Sequence, residues 1–394
     1  MVTIPKRWHK CIVADVAEVS RGASPRPIEN YLTSNVSGIN WIKIGDAPRN
    51  GNRIRRTAER ITPEGALRSV IVRAGDFILS NSMSFGRPYV VDIDGCIHDG
   101  WLKLSKFTRS ADTEFLVYLL SSRAITSQYE SLAAGSGVKN LNKEVVSEVV
   151  LVLPQLAEQR AIAEVLSGFD EHLANLDELI AKKKAIRDGA IEELVSGKRR
   201  LEGFTEDWAS YPLGEIATVR REVRGASIPN VDIELDNLLP GEGRLTGDIY
   251  YRTAASLAFY SGDVLFGRLR PYLRKYWLAD RSGVRSGEIW ALVPGDVIVP
   301  LFLFHLVRSN RFISAANLTM GTKMPRADWQ HMKDRVFRIP SIREQNAIAA
   351  SLSSLDSEIE VLSEERAKVE RLKLGAMDDL LTGRVRLPME EEVA

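Results

Sequence analysis

Cysteine is close to absent from this chain: Cys11 and Cys96 are the only two in 394 residues. That is too few for a disulfide framework, and both read as reduced residues in or near a core. Long apolar runs are lacking as well. The longest, Val297 to Val307, is interrupted by Pro300 and His305 and falls far short of the roughly 20 residues that a spanning helix needs. The stretch from Met1 to Val13 holds no sustained apolar run of the secretory kind, so a cytoplasmic location without a membrane partner is expected. Neither sign of charge dominates, with 53 Lys and Arg against 52 Asp and Glu. A hydrophobic content of 44% with 27% charged residues excludes disorder as the main state.

Recognisable catalytic patterns are also missing. None of the 16 prolines is followed by another, which excludes the Asn/Asp-Pro-Pro-aromatic loop that holds a flipped adenine in amino-methyltransferases. Ser196-Gly197-Lys198-Arg199 lacks both the upstream glycine and the hydroxyl of a phosphate loop, and the run from Gly135 to Asn140 fails the dinucleotide pattern at its third glycine. His9, His98, His172, His305 and His331 are scattered without metal-ligand spacing. Acidic pairs such as Asp92 and Asp94, which could suggest an acid and a base or Mg ligands, flank Ile93 in a strand-and-turn setting and read as a solvated edge. No catalytic residue, bound metal or cofactor is expected in this chain.

What is present is a long internal repeat. Leu153 to Leu201 and Ile339 to Leu387 align without gaps at an offset of 186 residues. Pro154 matches Pro340, Glu158-Gln159 matches Glu344-Gln345, Asp170 matches Asp356, and Gly197 matches Gly383. In the first copy Ile162, Leu166, Phe169, Leu173, Leu176 and Ile180 recur at alternating steps of four and three, the spacing of a helix with one seam facing a partner. The second copy gives Ile348, Leu352, Leu355, Ile359 and Leu362 before Arg366 breaks the seam. Beyond that, Ile186, Ala190 and Leu194, matched by Leu372, Ala376 and Leu380, predict a one-residue slip of phase in both copies. The prolines stand where a helix can begin and Gly197 and Gly383 where one can end. Rods of about 40 residues would be roughly 60 Å long. Two such helices from one chain pack most simply antiparallel, which would make the pair a ruler between the segments they separate.

Those segments are related more weakly. Trp8 to Val19 parallels Trp208 to Val219, Ala74-Gly75-Asp76 is echoed by Ser261-Gly262-Asp263, and Arg87-Pro88-Tyr89 by Arg270-Pro271-Tyr272. Strand-like runs such as Asp76 to Leu79 and Asp263 to Phe266, with apolar helical stretches at Glu114 to Leu120 and Leu301 to Val307, predict mixed α/β bodies. The fold class expected is therefore mixed α/β: globular domains at 1–153 and 199–338, and long helices at 154–198 and 339–394, the last with a short acidic tail. Residues 1–150, 202–338, 151–201 and 339–394 carry net charges of +5, +2, −1 and −5, respectively, so different regions should suit different partners.

With the repeat and the missing catalysis in view, the chain resembles the specificity subunits of Type I restriction-modification systems over nearly its full length. The matches are Trp41-Ile-Lys-Ile-Gly-Asp46, Asn81-Ser-Met-Ser-Phe-Gly-Arg-Pro88, Phe266-Gly-Arg-Leu-Arg-Pro-Tyr-Leu273 and Leu/Ile-Pro-x-x-x-Glu-Gln at 153 and 339. They are specific in combination and weak singly. The resemblance implies two target-recognition domains, each reading half of a bipartite double-stranded DNA target, with an antiparallel coiled coil setting the gap. It further implies two docked modification subunits that bring S-adenosylmethionine and a restriction/translocase subunit, with ATP and Mg also on the partners.

Candidate DNA-contact residues are the polar and basic side chains gathered beside Gly and Ser. In the first body these are Lys43, Arg53, Arg55, Arg56, Asn81, Ser84, Arg87, Lys139 and Asn140. In the second they are Arg220, Arg221, Arg224, Arg268, Arg270, Arg274, Lys275, Lys323 and Arg326. Arg and Asn can fork onto guanine and adenine edges, whereas Lys mostly holds phosphate. A third to a half of them should instead be surface residues paired with acids. Trp41 and Trp290 read as core, and Lys182-Lys183-Lys184 as a solvated face of the rod. Other classes stay open on sequence grounds: a stand-alone modification specificity protein, a scaffold whose bodies bind peptides, or an unrecognised Mg-dependent nuclease. Steeply salt-sensitive DNA binding separates a DNA reader from a peptide reader.

Overall fold

The structure, a computed structural model, describes residues 5, 7–48, 51–81, 86–134, 141–225, 230–318 and 324–388. The chain divides into two compact units, residues 1–176 with 365–394 and residues 177–364. Two helices are far longer than the rest, Leu156–Val195 with 40 residues and Ile342–Leu380 with 39. Each unit holds one globular body, the beginning of one long helix and the end of the other. Both helices close on a left-handed glycine, Gly197 at φ +73° and Gly383 at φ +68°. A side chain at either position would also run into a tryptophan ring, Trp208 or Trp8, so glycine serves packing as well as the turn.

The two bodies share one plan. In the first, the strands Glu18–Arg21, Trp101–Ser105, Phe77–Ser80, Pro88–Val91 and Arg53–Ile54 form a sheet in that order, and Glu59–Ile61, Ile39–Ile42, Gly95–Ile97 and Val70–Val72 form another. Phe77 to Ser80 is buried along its whole length, as expected of a central strand. In the second, Ala217–Val219, Ile289–Pro294, Val264–Gly267 and Tyr276–Leu278 form one sheet. Val223–Arg224, Ser256–Phe259, Gly283–Arg285, Asn230–Ile233 and Tyr250–Arg252 form the other. A two-stranded ribbon leads into each long helix, His9–Ile12 with Val150–Leu153 and Ala209–Pro212 with Val336–Ile339. The apolar stretches at 114–120 and 301–307 lie in the helices Thr113–Ser121 and Pro300–Arg308, which pack into the cores of their units.

The joint between body and helix has the same buried polar centre in both units, set beside the apolar packing of Ile162 and Leu166 or Ile348 and Leu352. Glu158 and Gln159 are 2% and 0% exposed, and Glu344 and Gln345 both 0%. The Gln159 amide accepts from Asp112 N at 2.8 Å and donates to Ser110 O and Pro154 O. Gln345 accepts from Val299 N at 2.8 Å and donates to Val297 O and Pro340 O. Glu158 accepts from Trp8 Nε1 and from a forked Arg386, and Glu344 from Trp208 Nε1 and a forked Arg200. Arg386 and Arg200 each follow the end of the opposite helix, so one carboxylate ties a body to both helices. A buried carboxylate is tolerable only when its lone pairs are filled in this way.

Inside each unit the helix segments run antiparallel. In the first, Glu158 meets Arg386 and Asp170 meets Lys373; in the second, Lys183 meets Glu358, Arg187 meets Asp356, and Arg200, beyond the helix end, meets Glu344. Of the seam residues expected from the spacing, Ile162, Leu166, Leu176, Ile180, Ile348, Leu352 and Ile359 are buried and Phe169, Leu173, Leu355 and Leu362 partly so. The expected slip does not occur. Ile186 and Leu372 are 48% and 53% exposed, while the side chains of the next residues, Arg187 and Lys373, are 7% and 20% exposed and bind Asp356 and Asp170. Alternating steps of four and three carry on from Ile180 through Lys183, Arg187, Ala190 and Leu194. From Leu362 they carry on through Arg366, Val369, Lys373, Ala376 and Leu380. Arg366 therefore does not break the seam. A search for apolar residues alone skips its charged middle, where cations pair inward. Leu166→Ala should lower unfolding free energy by about 2–5 kcal/mol, and Ile186→Ala should change it by less than about 0.5 kcal/mol, measured by urea denaturation. Equal losses would restore the slipped phase.

Candidate nucleic-acid interface

In the first body the candidate residues separate into three kinds. Asn81 is structural: it is 5% exposed, donates from Nδ2 to Asp99 O at 2.9 Å, and its backbone bonds Gly100 and Leu141. Arg53 and Arg55 both turn onto Asp92, at 2.8 and 3.2 Å, and Arg53 reaches Glu114 as well. Asp92 thus holds two guanidiniums, and Asp94 accepts from Ala74 N at 2.9 Å. Lys43 pairs with Glu59, and Arg87 donates to Gly51 O while lying 5.3 Å from the centre of the Tyr89 ring. Arg56 is exposed and has no side-chain partner among the described residues. Ser84, Lys139 and Asn140 lie outside the described residues.

Lys43 also stands at the rim of a cleft of about 700 Å³ lined by Ser24, Arg26, Trp41, Glu59 and His98 among others. Arg26 is anchored to Asp99 at 3.1 Å. Burial holds the His98 imidazole below its ordinary pKa, partly offset by Asp99, so it is neutral at pH 7. Trp41, 2% exposed, belongs to the core, and so does Trp290 at 4%.

In the second body Arg220 forks onto Asp263 at 2.7 and 2.9 Å and lies 4.6 Å from the Tyr260 ring centre, with Arg224 stacked on the same ring at 6.0 Å. Asp263 is 2% exposed. Behind it Arg285, pushed down to about 10 by burial, donates to Arg220 O at 2.6 Å. Arg221 is exposed and, among the described residues, unpaired. Arg268 lies 5.9 Å from the Trp290 ring centre, Arg326 forks onto Glu288, Arg274 bonds Arg308 O and Asn310, and Lys275 bonds Leu235 O and Asp236. Arg270 is exposed without a side-chain partner among the described residues. Lys323 lies outside them. The structure thus gathers Arg220, Arg224 and Tyr260 into one stack, and Arg268, Arg270 and Arg326 around the strand end at Gly267. Of the three lysines on the first helix, Lys183 and Lys184 are not a free solvated face: they pair with Glu358 and Glu242.

One sequence match is out of structural register. Pro88 and Tyr89 open a strand, with Pro88 opposite Leu79 and Tyr89 opposite Ile78. Arg270-Pro271-Tyr272 instead lies within the connection before the strand Tyr276–Leu278, in which Tyr276 faces Phe266. The shared tripeptide therefore stands at different places in the two bodies. Sequence reasoning also passed over Tyr250, Tyr251 and Tyr272, which are 70%, 68% and 52% exposed. Their signal was aromatic residues beside arginine in a turn-rich stretch.

Residues 5–184 match the Type I restriction modification DNA specificity domain. The chain is 25% identical to the Type I restriction enzyme MjaVIII specificity subunit of Methanocaldococcus jannaschii, over 98% of this chain and 94% of that protein. It is 21% identical to the EcoDI specificity subunit of Escherichia coli over 62% of each. In fold it is similar to a chain from a type I R-M system described for its complex assembly and conformational transition, with a TM-score of 0.62, 18% identity and 97% and 100% of the two chains covered. It is also similar to a Type I restriction-modification S subunit from M. genitalium, with a TM-score of 0.54, 16% identity and 98% of each chain covered.

Two neighbouring arginines separate structural from free cations. Arg220→Ala strands a nearly buried Asp263 and should cost roughly 3 kcal/mol, whereas Arg221→Ala should change stability by less than about 0.5 kcal/mol. Thermal unfolding of the two variants side by side checks this, and similar midpoints would refute the division.

Proposed function

Because the chain belongs to the specificity subunits of Type I restriction-modification systems, a non-catalytic component that directs DNA recognition, we propose that its two bodies read unlike halves of one split DNA target. Residues 1–153 and 199–338 act as the target-recognition domains. The helical regions 154–198 and 339–394 act as a spacing ruler and as the platform for two modification subunits. S-adenosylmethionine belongs to those subunits, and ATP and Mg to a restriction/translocase partner. The chain itself holds no cofactor and works in the cytoplasm.

The observation that carries this reading is one frame with two surfaces. The buried Glu-Gln joint, the entry ribbon and the paired sheets repeat in both units, while the cation arrays do not. The first body presents Arg56 beside an Asp92-held arginine pair, and the second presents Arg221 and Arg270 around aromatic stacks. Two copies of one frame suit two stretches of the same polymer, and different side chains on them suit different bases. Free arginines are available for phosphate and base contacts, since none is needed to balance a buried acid.

Adenine methylation should be mapped by single-molecule sequencing in cells that carry the chain with its companion methyltransferase and in cells lacking only this chain. A split motif with two unlike halves and a fixed gap should appear only when the chain is present. A palindromic motif would contradict the asymmetry, and unchanged methylation would remove the chain as the reader for that enzyme.

A further inference from the structure

The connection Arg268 to Lys275 in the second body holds two non-glycine residues in the left-handed region, Arg270 at φ +49° and Arg274 at φ +52°. They bracket the single turn Pro271–Leu273. For a residue with a Cβ this conformation is unfavourable, and it persists only where the surroundings impose it. Here the surroundings do so at both ends. Arg270 N donates to Pro325 O at 2.7 Å, Leu269 bridges Arg326, Gly241 N donates to Arg274 O at 2.8 Å, and Pro240 bridges Lys275.

The side chains of the connection are disposed just as unevenly. Arg268 lies on Trp290, Arg274 bonds Arg308 O and Asn310, and Lys275 bonds Leu235 O and Asp236. Pro271 is buried. That leaves Arg270, unpaired among the described residues, and Tyr272, 52% exposed, as the two side chains that a pinned backbone turns outward. The Arg274 strain is matched by hydrogen bonds that its side chain makes within the body. The Arg270 side chain makes none among the described residues, although glycine would occupy that position without strain.

We infer that Arg270 and Tyr272 form the base-reading element of the second body, an inference that rests on the DNA-reading function proposed above. The Arg270 guanidinium forks onto the major-groove edge of a guanine, and the Tyr272 ring packs against the adjacent base pair. A turn fixed at both ends suits this task, because the ordering cost is met in folding rather than on binding. The element belongs to the second body and therefore serves one half-site.

The test uses the full chain with its modification subunits and duplexes carrying the split target mapped for the wild-type complex, with one half or the other substituted base by base. Arg270→Gly removes the fork and relieves the backbone, so the variant should melt no lower than wild type. It should lose roughly 5- to 150-fold in affinity and accept any base at one guanine position of one half-site. Arg270→Lys keeps the charge and should recover binding at low salt without recovering that discrimination. Tyr272→Ala should weaken the same half-site. If Arg270→Lys and Tyr272→Ala keep the mapped motif and wild-type affinity, the inference is wrong while the DNA-reading function stands. Arg270→Gly binding that falls equally on every sequence makes Arg270 a phosphate contact and also overturns it. If the wild-type complex methylates no split motif, the DNA-reading function itself fails.

Discussion

Everything in this chain hangs on a carboxylate buried where each long helix begins. Glu158 and Glu344 are 2% and 0% exposed, and a carboxylate so placed must be satisfied on all sides or it unfolds its surroundings. Each collects an indole N–H from its own body and a guanidinium fork from beyond the end of the opposite helix. The neighbouring glutamine closes the backbone groups that the helix start and the adjoining loop leave open. Each body is thereby tied to both helices through one buried carboxylate. The apolar packing of Ile162, Leu166, Ile348 and Leu352 at the same joints buries area without direction, and the hydrogen bonds add specific partners to it.

Fixing the frame in this way leaves the remaining surface of each body free to diverge. The two units share sheet order and ribbon, yet Tyr89 is a core residue while Tyr272 is exposed. Asp92 gathers two arginines in one body, while in the other Tyr260 stacks two. A duplicated support with unlike faces is what a reader of two unlike half-sites needs, and the free arginines sit on the faces rather than in the joints.

Much of this was legible in the sequence because it repeats. Pro154 and Pro340, Glu158-Gln159 and Glu344-Gln345, and Gly197 and Gly383 mark the helix starts, joints and ends at a constant offset. The step of four and three residues located the seam as far as Ile180 and Leu362. It lost the seam beyond because Arg187 and Lys373 look like surface residues until Asp356 and Asp170 are seen opposite them. The same blindness affected the candidate contacts. Arg53, Arg220 and Arg326 have the composition of a DNA surface, but each has a carboxylate brought to it from 38 to 61 residues away. Sequence separation of that kind cannot be read from local pattern. Tyr272 stands beside arginine in a turn-rich stretch, but its exposure depends on left-handed backbone at Arg270 and Arg274, which neither residue type favours.

The proposal that the helices set target spacing, and with it the role of the buried joint, is open to direct measurement. Duplexes carrying the mapped half-sites at gaps one and two base pairs shorter or longer than native can be methylated by the wild-type complex and by one carrying Glu158→Gln or Glu344→Gln. Wild type should accept a single gap, and the variants, with the guanidinium fork and half the joint lost, should accept several gaps while keeping both half-sites unchanged. A variant that keeps the single native gap, or a wild type that tolerates many, would show that the joint does not set the spacing.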